Sequence, residues 1–316
     1  MKILGIETSH DDTSIALFED NKILDMITIS QIDIFKTFGG TIPELSSREH
    51  VKNIALIEKM FLDKWDLTTL DYIAYTKEPG LIGTLQIGFL FASALSLTLN
   101  KPLIPINHLE GHFFSAAIED KIEYPSLTLL VSGGHSQLML INNPFDIKIL
   151  GQTLDDAVGE AFDKVSTRLD LGFPGGPIID NLYEAKYQML KTKIIKFTTP
   201  HTENIYDFSF SGLKSQVINY AHNLEQKNQY VDKELIAISF QECAINYLIE
   251  KTKLAFNTFK PKSLILCGGV SANKELRKKF LKISPLAKVP NLKYATDNGA
   301  MIASCAYQQL IYKNKK

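Results

Sequence analysis

The first thirty residues carry three short apolar or alternating stretches, at 2–6, 13–18 and 23–29, separated by polar turns. Such alternation between short turns predicts a β-meander. The period then changes. Between 44 and 65, the positions Val51, Ile54, Ala55, Glu58 and Phe61 trace a mostly apolar stripe at helical spacing, which predicts an amphipathic helix. A strand follows at 71–76. The longest apolar stretch, 87–99, contains Gly88 and two serines, is too short to span a bilayer, and predicts a buried helix. Residues 103–106 read as a short buried strand, and 109–119 as a helix opened by Asn107, a good N-cap. Strands alternating with helices argue for an α/β layer architecture.

The pattern restarts at 126. Strands are expected at 126–132, 137–141 and 147–151, then a helix from Thr153 with Thr153 and Asp156 as its capping box. Each half thus begins strand, Ser-containing turn, strand, strand. The first turn is Glu7-Thr8-Ser9-His10-Asp11-Asp12 and the second Ser132-Gly133-Gly134-His135-Ser136. A duplicated fold with a cleft between its halves is expected, with lobes at 1–125 and 126–316 and the last helix able to pack back on the first lobe. Residues 171–213, rich in Gly, Pro and aromatics, are expected as surface structure at the cleft mouth. Helices at 212–226 and 232–259, a strand at 263–267 and two further helices complete the second half.

With 316 residues, 45% of them hydrophobic and 22% charged, the chain can hold two globular domains with full cores. A formal net charge of -1 gives no general attraction to nucleic acid, so such a partner would have to meet a local basic patch or another subunit. No signal-peptide pattern precedes the first strand. Cys243, Cys267 and Cys305 are isolated and free of C-x-x-C spacing. Both features predict a cytoplasmic protein with reduced core thiols and no membrane association.

Candidate chemistry concentrates in a few motifs. His108 and His112, in Asn107-His-Leu-Glu-Gly-His-Phe, lie one helical turn apart on one face, so both imidazoles can reach one cation. The spacing is like that of zincin proteases, but Glu110 stands two places after the first His instead of one, off the position of a protease base. Taken alone, a hydrogen-bonded His pair explains it as well. In Tyr294-Ala-Thr-Asp297-Asn-Gly-Ala-Met301, Thr296 or Asp297 could cap the following helix. Alternatively, Asp297 could complete a His-His-Asp site with open positions, from the second half across the cleft.

Two glycine turns follow apolar strands, Leu130-Val131-Ser132-Gly133-Gly134 and Leu266-Cys-Gly-Gly-Val-Ser-Ala-Asn273. Such turns let backbone N–H groups approach an anion or a ribose, and the second is expected to open a helix at once. Asn273 is either a ligand for a sugar hydroxyl or that helix's cap. Asp156, Glu160 and Asp163 fall at i, i+4 and i+7 of the helix expected from Thr153. Complementing the dipole accounts for acids in the first turn, Asp155 and Asp156, but not for Asp163. With Pro174-Gly175-Gly176-Pro177 and Asp180, Asp163 could accept hydrogen bonds from a bound nucleoside.

Eight motifs occur in order: Gly5-Ile-Glu-Thr-Ser-x-Asp, Asn107-His-Leu-Glu-Gly-His, Leu130-Val-Ser-Gly-Gly-His-Ser-Gln-Leu, Gly159-Glu-Ala-Phe-Asp-Lys164, Phe173-Pro-Gly-Gly-Pro, Asp207-Phe-Ser-Phe-Ser-Gly-Leu-Lys214, Gly268-Gly-Val-Ser-Ala-Asn-x-x-Leu-Arg277 and Thr296-Asp-Asn-Gly-Ala-Met301. Together they closely resemble the bacterial TsaD/YgjD family, formerly called O-sialoglycoprotein endopeptidase, over essentially the whole chain. The resemblance implies the actin/Hsp70/sugar-kinase (ASKHA) fold, two ribonuclease-H-like lobes around a central cleft. It also implies transfer of threonylcarbamoyl from threonylcarbamoyl-AMP to N6 of adenosine 37 in tRNAs reading codons that begin with A. By motif match, His108, His112 and Asp297 look like the metal ligands, for Fe(2+) or Zn(2+). Leu130, Val131, Ser132, Gly133, Gly134, Asp163, Gly176, Asp180 and Asn273 look like the adenylate contacts. Asp11 is the candidate for taking the N6 proton. A TsaB-like paralogue, a TsaE-like ATPase and an upstream TsaC-like adenylate synthase are the implied partners.

The sequence departs from the family in four places. His10 stands where Cys is usual, Asp12 where Glu is, and Glu78 replaces the first Gly of a Gly-Pro-Gly-Leu turn, at the expected cost of glycine's permissive backbone. The basic, Pro-containing tail of many members does not follow Lys316. Two other functions compete. One is a glycoprotein metalloendopeptidase, and the other a non-catalytic ASKHA scaffold that only binds nucleotide.

Overall fold

The structure, a computed structural model, describes residues 1–315. It divides into two compact units, Met1–Ile122 together with residues 290–315, and Glu123–Val289. The chain therefore leaves its first unit at Ile122 and returns at Pro290. This corrects the expected placement of Asp297, which belongs to the first unit and not to the second.

The first unit runs β1 (Lys2–Glu7), β2 (Asp12–Glu19), β3 (Lys22–Ser30), α1 (Ile32–Phe35), α2 (Pro43–Leu62), β4 (Tyr72–Glu78), α3 (Ile82–Leu99), β5 (Leu103–Asn107) and α4 (His108–Ser115). The second runs β6 (Ser126–Val131), β7 (Ser136–Asn143), β8 (Asp146–Gln152), α5 (Val158–Arg168), α6 (Gly175–Leu190), α7 (Ser211–Gln226), α8 (Lys233–Phe259), β9 (Ser263–Cys267), α9 (Lys274–Leu281) and β10 (Ala287–Lys288). Helix α10 (Gly299–Asn314) then completes the first unit. The sheets have orders β3-β2-β1-β4-β5 and β8-β7-β6-β9-β10. In each, the opening strand is antiparallel to the second and parallel to the fourth. The duplication inferred from the paired turns is thus a duplication of topology.

Both central strands are buried on both faces, as their near-continuous apolar runs require, whereas edge strand β3 alternates in exposure. In the first unit, α2 and α3 cover Leu4, Ile6, Ile15 and Ile73 with Ile54, Ile57, Phe61 and Ala92. The core of the second unit joins the β6 and β9 side chains to α5, α7 and α8 through Phe162, Phe210, Leu213 and Phe240.

Three expectations are corrected here. The apolar helix α3 begins at Ile82, five residues before the expected 87, and is not a buried helix: among its residues only Thr84, Gly88 and Ala92 are buried, while Ile82 and Leu97 are 77% and 84% exposed. Helix α5 starts at Val158 with Ala157 as N-cap, not at Thr153. Thr153 forms a bridge with Phe208 and its hydroxyl donates to the Asp156 carbonyl. Asp155 accepts from Ser209 and the N–H groups of Phe210 and Ser211, and Asp156 pairs with Lys164 and Lys214. These carboxylates anchor the 207–214 segment instead of complementing a helix dipole. Finally, the 171–213 stretch expected as surface structure holds a helix, α6, with a buried face. Its Pro177 sits in the first turn, where a missing N–H costs nothing, and Ile179, Asp180 and Tyr183 form its buried face.

Candidate metal centre and nucleotide cradle

Strand β5 ends at Asn107, whose Oδ1 accepts from Leu109 N at 2.9 Å and caps α4. His108 and His112 therefore leave the first and second turns of one short helix, with ring centroids 4.6 Å apart. Helix α10 brings the third residue. Its cap is Asn298, which accepts from Met301 N at 2.9 Å, and not Thr296 or Asp297. That leaves the Asp297 carboxylate to face the histidines, 3.1 Å from His112 Nε2 and 3.5 Å from His108 Nε2.

Glycine makes this placement possible. A Cβ on Gly5 would lie 2.1 Å from the Gly299 carbonyl oxygen, and one on Gly299 would lie 2.5 Å from that of Gly5. The start of α10 thus presses backbone to backbone on β1, with Gly299 N donating to Ser14 Oγ at 2.9 Å. Along its length, α10 also meets α4: Ser304 donates to the Phe114 carbonyl, and Gln309 donates to Glu110 at 2.8 Å. Glu110 is therefore turned to α10, and burial pushes its carboxyl up.

The three ligand atoms lie within 4.8 Å of one another, and theirs is the one such group found among the described residues. Metal–ligand bonds of about 2.0–2.2 Å put neighbouring ligand atoms about 3.0–3.6 Å apart, which the two Asp297 distances match. His112 is fully buried; its Nε2 faces Asp297, while its Nδ1 makes no hydrogen bond. An imidazole left so is costly unless something else takes its lone pair. The residues fit a cation. Burial opposes charge on His108, but the Asp297 and Glu7 carboxylates outweigh it and push the imidazole up to about 9. Burial likewise opposes charge on Asp297, and the two histidines hold it well below the usual carboxylate range.

The turn after β1 lies beside this group. His10, half exposed, donates from Nδ1 to Asp11 Oδ1 at 3.0 Å, and that bond together with the charge of Asp11 raises it. Its carbonyl accepts from Ser46 at 2.6 Å and from His50 Nε2 at 3.0 Å, so α2 fixes the turn. Burial and the neighbouring Asp297 charge push Asp12 up to about 7. Glu78 is exposed at the end of β4 and has no left-handed φ, so the expected backbone cost of replacing Gly there does not arise.

In the second unit, Leu130 and Val131 close β6, and the Ser132-Gly133-Gly134 turn is held by Ser132 N donating to the His135 carbonyl at 2.8 Å. Gly268, at φ 87°, packs on Val131, where a Cβ would lie 2.4 Å from the carbonyl oxygen. The second glycine turn does not open a helix at once. A 3₁₀ turn, Gly269–Ala272, intervenes, and α9 starts at Lys274 with Asn273 as its cap. Asn273 Oδ1 accepts from Leu276 N at 2.9 Å, and its Nδ2 donates to Gln241 at 3.0 Å. Asp180 accepts from Gln241 Nε2 at 3.2 Å and from Lys274 N at 3.1 Å. Gln241 links these two residues from the middle of α8, a position that no sequence signal marked. Asp163 accepts from Gly175 N at 2.7 Å and ties α5 to the start of α6. Asp163 and Asn273 thus both belong to the second unit. Cβ atoms added at Gly133, Gly134, Gly176 or Gly269 would meet no atom within 4 Å.

Residues 22–304 match the family described as TsaD: tRNA N6-adenosine threonylcarbamoyltransferase. The chain is 68% identical over 310 residues to the tRNA N6-adenosine threonylcarbamoyltransferase of Mycoplasmopsis agalactiae, covering 98% of this chain and 99% of that one. It is 62% identical to that of Mycoplasmopsis synoviae, over 98% of this chain and 99% of that one. Among solved structures, HypF of T. kodakarensis superposes with a TM-score of 0.62 at 11% identity, covering 99% of this chain and 48% of that one. Component A of the Acidaminococcus fermentans (R)-2-hydroxyglutaryl-CoA dehydratase gives 0.55 at 13% identity, over 98% and 99%. These likenesses establish the ASKHA fold.

Proposed function

The chain belongs to the TsaD family of tRNA N6-adenosine threonylcarbamoyltransferases, and on that premise we propose that it moves threonylcarbamoyl from threonylcarbamoyl-AMP to N6 of adenosine 37 in tRNAs reading codons that begin with A. The bond from the carbamoyl carbon to the phosphate oxygen breaks, AMP leaves, and the bond to N6 forms.

His108, His112 and Asp297 would hold one divalent cation. The observation that carries this reading is the convergence of His108, the fully buried His112 and Asp297, whose ligand atoms lie within 4.8 Å of one another. Two imidazoles and one carboxylate with open positions suit Fe(2+) best, and Zn(2+) also accepts the set. When bound, such an ion supplies Lewis acidity to the carbamoyl carbonyl or the phosphate. The adenylate would use the second unit. At Gly133, Gly134, Gly176 and Gly269 neither a left-handed backbone nor packing demands glycine, which leaves room for a ligand to approach the backbone N–H groups. Leu130, Val131 and Ser132 set the first of these turns in place. Asp163, Asp180 and Asn273 would meet the ribose hydroxyls. Asp11, poised by His10, is the proposed acceptor of the N6 proton.

A TsaB-like paralogue would cover the apolar side of α2 and α3, where Leu56, Met60, Leu90 and Leu97 are exposed. Helix α3 is long and apolar enough to cross a membrane by composition, with a mean hydropathy of 1.7, and a protein partner accounts for that surface in a cytoplasmic enzyme. A TsaE-like ATPase and a TsaC-like synthase complete the proposed set. Against a peptidase stands Glu110, committed to Gln309.

Incubating the full chain and its partner subunits with threonylcarbamoyl-AMP and a tRNA transcript, beside a peptide substrate, tests the assignment. Threonylcarbamoyladenosine in digested tRNA is expected. Peptide cleavage would favour the peptidase, and adenylate binding without modified tRNA would favour the scaffold.

A further inference from the structure

Glu7, at the end of β1, is fully buried beside the histidine helix. Its Oε1 accepts from Ser9 N at 2.5 Å. Its Oε2 accepts from Thr76 Oγ1 at 2.5 Å and lies 3.1 Å from His108 Nδ1. A carboxylate buried among these donors is held in one orientation, since the turn after β1, strand β4 and helix α4 each contribute a contact.

The pairing decides which nitrogen of His108 carries a proton. Two atoms lie at 3.1 Å from Nδ1, Glu7 Oε2 and Ser9 Oγ. Ser9 can give or take a hydrogen, and so fits either tautomer. An ionised carboxylate only accepts, and a bare Nδ1 lone pair at 3.1 Å would repel it. In the neutral imidazole that can bind metal, Nδ1 must therefore hold the hydrogen, which leaves Nε2, 3.5 Å from Asp297, with its lone pair toward the proposed cation. Partner groups of this kind orient a ligating imidazole and make it a better donor. His112, whose Nδ1 has no hydrogen-bond partner, has no equivalent support among the described residues.

We propose that Glu7 is the positioning residue of the metal centre: it fixes His108 as the Nδ1–H tautomer, so that Nε2 is the coordinating atom. The inference rests on the reading of His108, His112 and Asp297 as metal ligands.

The test uses the full chain with Zn²⁺ as probe. Metal affinity is measured by chelator competition for the parent and for Glu7→Gln, which keeps the shape but removes the charge. A loss of about 10–100-fold is expected in the variant. Nitrogen-15 spectra of the zinc-loaded parent should show His108 protonated at Nδ1 and metal-bound at Nε2, a signature that does not depend on whether the variant folds. A folded Glu7→Gln protein with the parent's affinity would overturn the proposal, as would His108 bound through Nδ1. A parent that takes up no zinc or iron would instead refute the metal reading itself.

Discussion

Replacing Gly5 by Ala tests how the metal centre is built without touching a ligand. The added Cβ would lie 2.1 Å from the Gly299 carbonyl oxygen and 2.7 Å from Ala303 N, both backbone atoms of α10. No side chain can rotate away to relieve this. Ordinary contact needs about 3.4 Å, so the start of α10 must recede from β1 by about 1 Å, and overpacking of this kind costs about 1–3 kcal/mol. Asp297 stands two residues before Gly299 and must move with it. Coordination tolerates errors of about 0.2 Å, so a shift several times larger should break the carboxylate's share of the site. Thermal unfolding should show a midpoint lowered by about 2–10 °C, and zinc competition an affinity down by at least about tenfold. Parent-like values in both assays would refute the claim that the Gly5–Gly299 contact positions Asp297.

Other consequences can be checked alongside. The His108→Ala, His112→Ala double variant should lose bound metal by elemental analysis; unchanged content would remove the site. Because the carboxylates push His108 up to about 9, the metal-free imidazole is protonated at neutral pH and must lose that proton to coordinate. Apparent zinc affinity should therefore rise by about tenfold per pH unit up to about pH 9 and then level off, and a flat profile would contradict this. Gly134→Ala fills open space, so it should leave stability unchanged within about 0.5 kcal/mol while weakening AMP binding in calorimetry; undiminished binding would move the adenylate elsewhere. With a net charge of -1, the chain alone should bind tRNA weakly and lose affinity with salt less steeply than the complex with its paralogue. Equal slopes would place the whole tRNA site on this chain.

Much of this was legible before any coordinates. Apolar runs at 2–6 and 126–132 are central strands because they are apolar on both faces, and the paired Ser-containing turns mark the repeat. The His108–His112 spacing works because Asn107 caps the helix where its sequence says it should. What escaped depended on contacts distant along the chain. The sequence allows the last helix to pack back on the first lobe, but that residues 290–315 as a whole belong there follows only from Gly5 and Gly299 fitting together. Asp155 and Asp156 looked like dipole partners because their true partners, Ser209 and Lys214, lie more than fifty residues on. Helix α3 read as buried because uniform apolarity marks a core helix and one with an exposed apolar face alike. Glu7 was passed over because a carboxylate ending an apolar strand is ordinary until His108 is seen beside it.

The central claim is that the His108, His112 and Asp297 centre is required for threonylcarbamoyl transfer. Its most direct test is the yield of threonylcarbamoyladenosine from metal-loaded parent and His112→Ala proteins, each supplied with the same partners, threonylcarbamoyl-AMP and tRNA. If the cation stabilises the transition state by several kcal/mol, the variant's rate should fall by at least about 100-fold, with its AMP binding retained. Equal rates for the two proteins would mean that transfer does not use this centre, and the account would be wrong.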